Sequence, residues 1–177
     1  MKSVLGMKLW VKILLFYVIF MLMYFLYKYF PVFPLSLICA INESNFQHYK
    51  AIFFAFLFVD LIEYFKYRKR IEKPGEFWFP RLTAAIFAPW VVFLLWYIAP
   101  AVYGRMPNIP LEIVYANIIT LIVGYFVVIL ERGFMQMTYS RSLKIIILAL
   151  FLISLGLYLL FTFNLPWADV FVEPDWR

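Results

Sequence analysis

The sequence is poor in the residues that build most catalytic or metal centres. It holds one cysteine, Cys39, and one histidine, His48, among 177 residues. A lone thiol excludes an intrachain disulfide. Zinc prefers histidine and thiolate ligands, and with one of each a site would have to be completed by carboxylates, so no metal or other cofactor is expected. Acidic groups are scarce as well, at 10 against 16 basic residues, for a net charge of +6. That excess does not imply nucleic-acid binding, because the basic residues fall at the ends of apolar runs and do not line one face. Leu35–Cys39 faintly matches a lipoprotein cleavage site, but Ile38 is large where a small residue is needed. No A-x-A site follows the first apolar run, which therefore reads as an uncleaved helix.

Apolar residues are abundant: 66% of the chain is hydrophobic and 23% aromatic. They cluster in runs of about twenty, the length that crosses about 30 Å of hydrocarbon at about 1.5 Å per residue. The expected fold class is an all-α integral membrane protein: a single domain and a bundle of about five transmembrane helices, spanning 9–27, 45–67, 82–101, 111–130 and 145–163. Prolines 31, 34, 74, 80, 100, 107, 110, 166 and 174 punctuate the joints, since proline lacks an N–H and ends helices. Pro89 falls inside the third run, where a kink is expected.

Orientation follows from the basic residues. Lys2, Lys8, Lys12, Lys66, Arg68, Lys69, Arg70, Lys73, Arg81, Arg132, Arg141 and Lys144 lie on one side, which makes twelve of the 16. Lys28, Lys50, Arg105 and Arg177 are the four on the other. This predicts a multi-pass cell-membrane protein with a cytoplasmic N-terminus and an outside C-terminus. The acidic tail, with Asp169, Glu173 and Asp175, suits the outside, and Trp10, Trp78, Trp96 and Trp167 fall near span ends as an aromatic belt requires. The connection 28–44 is too apolar for a solvated loop. Leu35–Ile41 is expected to be interfacial or re-entrant, with Cys39 open to an impermeant thiol reagent from outside unless that loop is buried. The segment 66–81 is the clearly water-facing loop.

The candidate polar site is Asn42, Glu43, Ser44, His48 and Lys50, at the start of the second span, with Asp60 further along. Ser44 with Gln47 forms a capping-box pattern, which accounts for those two. It leaves Asn42, Glu43 and His48 beside an apolar loop, where ionisable groups are costly, and two readings stay open: a functional site, or a cluster that only caps the helix and ties the tail down. Asn42-Glu43-Ser44 also fits a glycosylation acceptor, too near the bilayer to favour modification. A nucleophilic set from Ser36 or Ser44 with His48 and Glu43 needs a geometry that sequence does not show. Trp167, Asp169 and Glu173 are placed to close over the cluster. Glu63 is expected to pair with Lys66 one turn on, Asp60 is open between an ion site and a bond to Tyr64, and Glu112 and Glu131 are expected at the interfaces. Asn117, Thr120 and Gly124, like Ala84 and Ala88, form small-residue stripes that read as packing seams.

The Asn42-Glu43-Ser44…His48…Lys50 helix start resembles an uncharacterised family of small prokaryotic membrane proteins, domain of unknown function 6512. The aromatic run to Leu61-Ile62-Glu63-Tyr64 and the tail Phe161-Thr162-Phe163, Pro166, Phe171, Glu173 and Pro174 carry the likeness to the end of the domain. The family tends to have a His near the end of its first span, before a Tyr and a Trp. Here Tyr27 can keep the Tyr, while Tyr24 or Phe25 stands for the His and Phe30 for the Trp; Gln47 stands where an acid is usual. The resemblance implies an architecture and a site location, not a reaction. Three functions are therefore open: binding or transport of a small molecule or lipid at the outer face, a membrane-embedded enzyme acting on a lipid-linked substrate with His48 and Glu43 as acid and base, and a non-catalytic accessory subunit. Membrane lipids are the expected partners.

Overall fold

A computed structural model describes residues 6–104 and 107–172. Lys2, Arg105, Glu173, Pro174, Asp175 and Arg177, named above, lie outside the described residues. The described residues form helices and turns only: α1 (Leu9–Tyr29), α2 (Phe33–Ser36), α3 (Asn45–Tyr67), α4 (Pro74–Trp96), α5 (Ile98–Tyr103), α6 (Ile109–Phe134) and α7 (Arg141–Phe163), with 3-10 turns at Arg68–Arg70 and Asp169–Phe171. Among the described residues, four helical stretches are long and apolar enough to cross a membrane: Leu9–Tyr29, Pro74–Val102, Ile109–Phe134 and Arg141–Phe163. Helix α3 is as long, but it carries Lys50, Asp60, Glu63 and Lys66 and is not among the four.

Local signals set the helix starts. Asn108 caps α6 by accepting the Leu111 N–H at 2.9 Å, and Ser140 caps α7 through Leu143 at 3.2 Å. Pro74 opens α4 at a position whose N–H has no helical partner in any case. This corrects one expectation: Pro80 is not a joint but lies inside α4, and the loop expected over 66–81 shrinks to a turn and Ile71–Lys73. Side chains supply extra donors around that proline. Arg81 Nη1 donates to the Phe77 carbonyl at 2.8 Å, and Thr83 Oγ1 to the Phe79 carbonyl at 2.7 Å.

The long helices alternate in direction, and α3 runs through their centre. Phe16 of α1 stacks on Phe56 with ring centroids 4.1 Å apart, Phe93 of α4 meets Tyr49, and Phe151 and Tyr158 of α7 flank Phe53. Ala84 and Ala88 of α4 are fully buried. A β-carbon on Gly124 of α6 would sit 2.9 Å from Phe16, so the small stripes are close-packing seams as expected. Burial runs against polarity. Helix α3 buries 13 residues, including Gln47, Lys50, Asp60 and Glu63, whereas α7, almost wholly apolar, buries only Ile147 and Thr162. Between α1 and α3 the chain folds back on the bundle. Ser36, Cys39 and Ala40 are buried, and the Ala40 N–H reaches the Met23 carbonyl at 3.3 Å. Cys39 is wholly enclosed, which is the buried case in which an impermeant reagent is not expected to label it.

Candidate functional site

Helix α3 distributes the candidate residues over three places. The first is at its N-terminal end, facing α1. Tyr24 donates its hydroxyl to the Glu43 carboxylate, 2.7 and 2.8 Å from the two oxygens. The His48 imidazole stacks on the Tyr24 ring, with centroids 5.4 Å apart and planes 18° from parallel. Its Nε2 lies 3.6 Å from Glu43 Oε2. The two side chains are 24% and 28% exposed, so this phenol–carboxylate–imidazole group is reachable from outside the bundle. Asn42 serves the backbone instead, accepting the Ser44 N–H at 3.1 Å. The expected capping box is not formed. Ser44 is the N-cap of α3 but makes no side-chain cap bond, and Gln47 turns back to accept the Ile41 N–H at 3.4 Å. The pull of the buried connection on Gln47 outcompetes the cap.

The second place lies two residues beyond His48, about 200° around the helix. Lys50 is fully buried, donating to the Ser36 carbonyl at 2.7 Å and to Thr162 Oγ1 at 3.0 Å. Cys39 lies beside it; burial pushes its thiol above the ordinary range, opposed by the Lys50 charge.

Asp60 is the third, ten residues and about 15 Å along α3 from Lys50. It belongs to a sealed ionic cluster that draws on four helices. Lys12 of α1 donates to Asp60 at 2.7 Å, to Glu63 at 2.8 Å and to Glu131 of α6 at 2.6 Å. Arg81 of α4 bonds Glu63 at 2.8 and 2.9 Å, lies 3.8 Å from Glu131, and covers the Phe77 ring at 3.6 Å. All five are at most 2% exposed. The three carboxylates have the proximity of a metal site, but the Lys12 ammonium already donates a bond to each. Two expectations fail here. Glu63 pairs with Lys12 and Arg81, not with Lys66, and Glu131 is buried, not interfacial. Asp60 bonds Lys12, not Tyr64. Sequence reading used Lys12 and Arg81 only for orientation and missed them as partners of Asp60. The available signal was that opposite charges from separate runs fall at the same end of the chain's helices.

The tail does return to the start of α3, though Trp167 and Asp169 do not close over it, and Glu173 lies outside the described residues. Phe171 packs on Phe46 with centroids 4.7 Å apart, while Trp167 is 95% exposed and Asp169 is exposed. At the basic end, a cleft of about 190 Å³ is lined by Gly75, Glu76, Met135, Met137, Thr138, Tyr139 and Lys144. Comparisons with family models, with curated proteins and with solved structures gave no match.

Proposed function

We propose that the chain is a five-span membrane protein, cytoplasmic at its N-terminus, that binds or carries a small molecule or lipid through the Tyr24–Glu43–His48 group at the outer face. The membrane reading is supported by the inverted burial pattern: α7 shows its apolar surface outward, while the ion-bearing α3 is enclosed. Water would favour the reverse arrangement, and hydrocarbon favours this one. Enclosure is also how α3 can span despite its charges. The binding reading is carried by one observation: Glu43 and His48 form a charged and titratable group that is part-exposed, whereas the ionic cluster at the other end is sealed. The resemblance noted above supports the same location, since Tyr24 is one of the two positions where that family tends to have a His.

A carboxylate beside an imidazole and an aromatic face suits a ligand bearing an amine or a hydroxyl. The same pair would serve as acid and base in an outer-leaflet enzyme. A specific observation favours the accessory-subunit alternative: the sealed cluster ties four helices together with no ligand needed. Native mass spectrometry separates these readings. Parent protein released from mild detergent is expected to carry a small-molecule or lipid adduct. Glu43→Gln and His48→Gln are expected to lose it while keeping Tm within about 2 °C, the shift expected of a surface-type change below 1 kcal/mol. A parent with no adduct, or variants that retain it in full, rejects the binding reading.

A further inference from the structure

The geometry points to a second site, one that takes an oxyanion at Lys50 beneath the 33–44 connection. Lys50 is 0% exposed, yet both groups it bonds are neutral: the Ser36 carbonyl and Thr162 Oγ1. No carboxylate lies within ion-pair distance of it among the described residues. An ammonium has three donors, so one remains without a partner here. Lys12 gives the contrast within the same molecule, with three carboxylates for its three protons. A buried ammonium with no counter-charge is costly, and an anion in low dielectric would supply what is missing.

Neighbouring groups have the same bias. Gln47 Nε2 and Ser44 Oγ are buried and unpartnered. Gln47 is pinned against the connection by the Ile41 N–H that its other amide atom accepts. Ser44, Gln47 and Lys50 recur every three residues and so lie along one side of α3. They lie at the N-terminal end of a 23-residue helix whose N-cap makes no side-chain bond, which adds the positive end of the helix dipole. The nearest acid in sequence, Glu43, is engaged with Tyr24 and His48 on the other side. Donors and positive charge without a carboxylate beside them match a phosphate or carboxylate oxygen. The ligand would displace the Ser36 carbonyl from Lys50 as the connection lifts. This inference does not depend on the Glu43–His48 reading, because it concerns different side chains on another face of α3.

Thermal unfolding of the whole chain tests it, with inorganic phosphate in detergent as one probe. Bilayer discs of phosphatidylcholine, with and without one third phosphatidylglycerol, are the other. The parent is expected to gain about 3 °C or more in Tm with an anion that occupies the site. A gain with phosphate identifies a soluble anion, and a gain only with phosphatidylglycerol identifies a lipid headgroup. Lys50→Arg should keep the gain. Lys50→Met should lose it while folding at least as well, because the buried charge is gone. Gln47→Glu places a carboxylate beside Lys50 and should also abolish the response. The site is rejected if neither probe shifts the parent, or if Lys50→Met responds as the parent does.

Discussion

Two lysines, Lys12 and Lys50, are both buried, and what surrounds them decides what their loss should do. Lys12 is bonded by three carboxylates on two helices. Removing it leaves like charges facing each other in a sealed space, a situation that costs about 3–5 kcal/mol. Lys12→Met is therefore expected to lower Tm by about 10 °C in a thermal shift measurement. Glu131→Gln should cost far less, about 1 kcal/mol. Its Oε2 has no partner, and without its charge the cluster balances two cations against two acids. Equal losses for the two variants would mean that charge balance is not what holds the cluster. None of this was legible in the residues alone. Glu63 has Lys66 in reach along the sequence, and local pairing looked sufficient. It lost because Lys12 and Arg81 meet Glu63 where water is excluded and each charge interaction is stronger.

Among the elements, α3 shows which sequence signals carried and which did not. Its start at Asn45 and its end at Tyr67 were readable, because a polar cluster precedes an apolar run and a basic run follows it. Its central position was not, since apolar content alone ranks α7 as the better core helix. Hydropathy reports what can face hydrocarbon, while the core of such a bundle collects small and polar side chains. The seam between α1 and α6 is the sharpest case. Gly124 faces the Phe16 ring, itself held by Phe56, so Gly124→Ala must push a ring with nowhere to move. A loss of about 1–3 kcal/mol in unfolding stability is expected. Gly156 sits inside α7 with nothing within 4 Å of an added β-carbon. Gly156→Ala should instead gain up to about 1 kcal/mol from helix propensity. If Gly124→Ala proves as harmless as Gly156→Ala, the close approach of α1 and α6 is not a determinant of stability.

For the whole molecule, the membrane reading proposed above turns on α3, which decides between four and five spans. Four helices qualify by length and composition among the described residues, and an even number of spans would put both termini on one side. Three physical facts argue for counting α3. It has 23 residues, about 35 Å at about 1.5 Å per residue, enough to span the hydrocarbon. Its interior charges are paired with Lys12 and Arg81 or enclosed, so lipid does not meet them. It also runs antiparallel to α1, since Lys12 near the start of α1 meets Asp60 and Glu63 near the end of α3. With α3 counted, Lys8, Arg68, Lys73, Arg132 and Arg141 all fall at one end, where the bias of basic residues toward the cytoplasm puts them. Reporter fusions in intact cells give the answer. A fluorescent protein that folds only in the cytoplasm should light up at the N-terminus and stay dark at the C-terminus. Alkaline phosphatase, active only outside, should show the opposite pattern. After residue 70 the phosphatase should be inactive, and after residue 108 active, because the five-span proposal has α3 return the chain to the cytoplasm and α4 take it out again. Activity after residue 70, or fluorescence at both ends, would remove α3 from the set of spans, whereas a dark N-terminal fusion would remove the outer placement of Glu43 and His48.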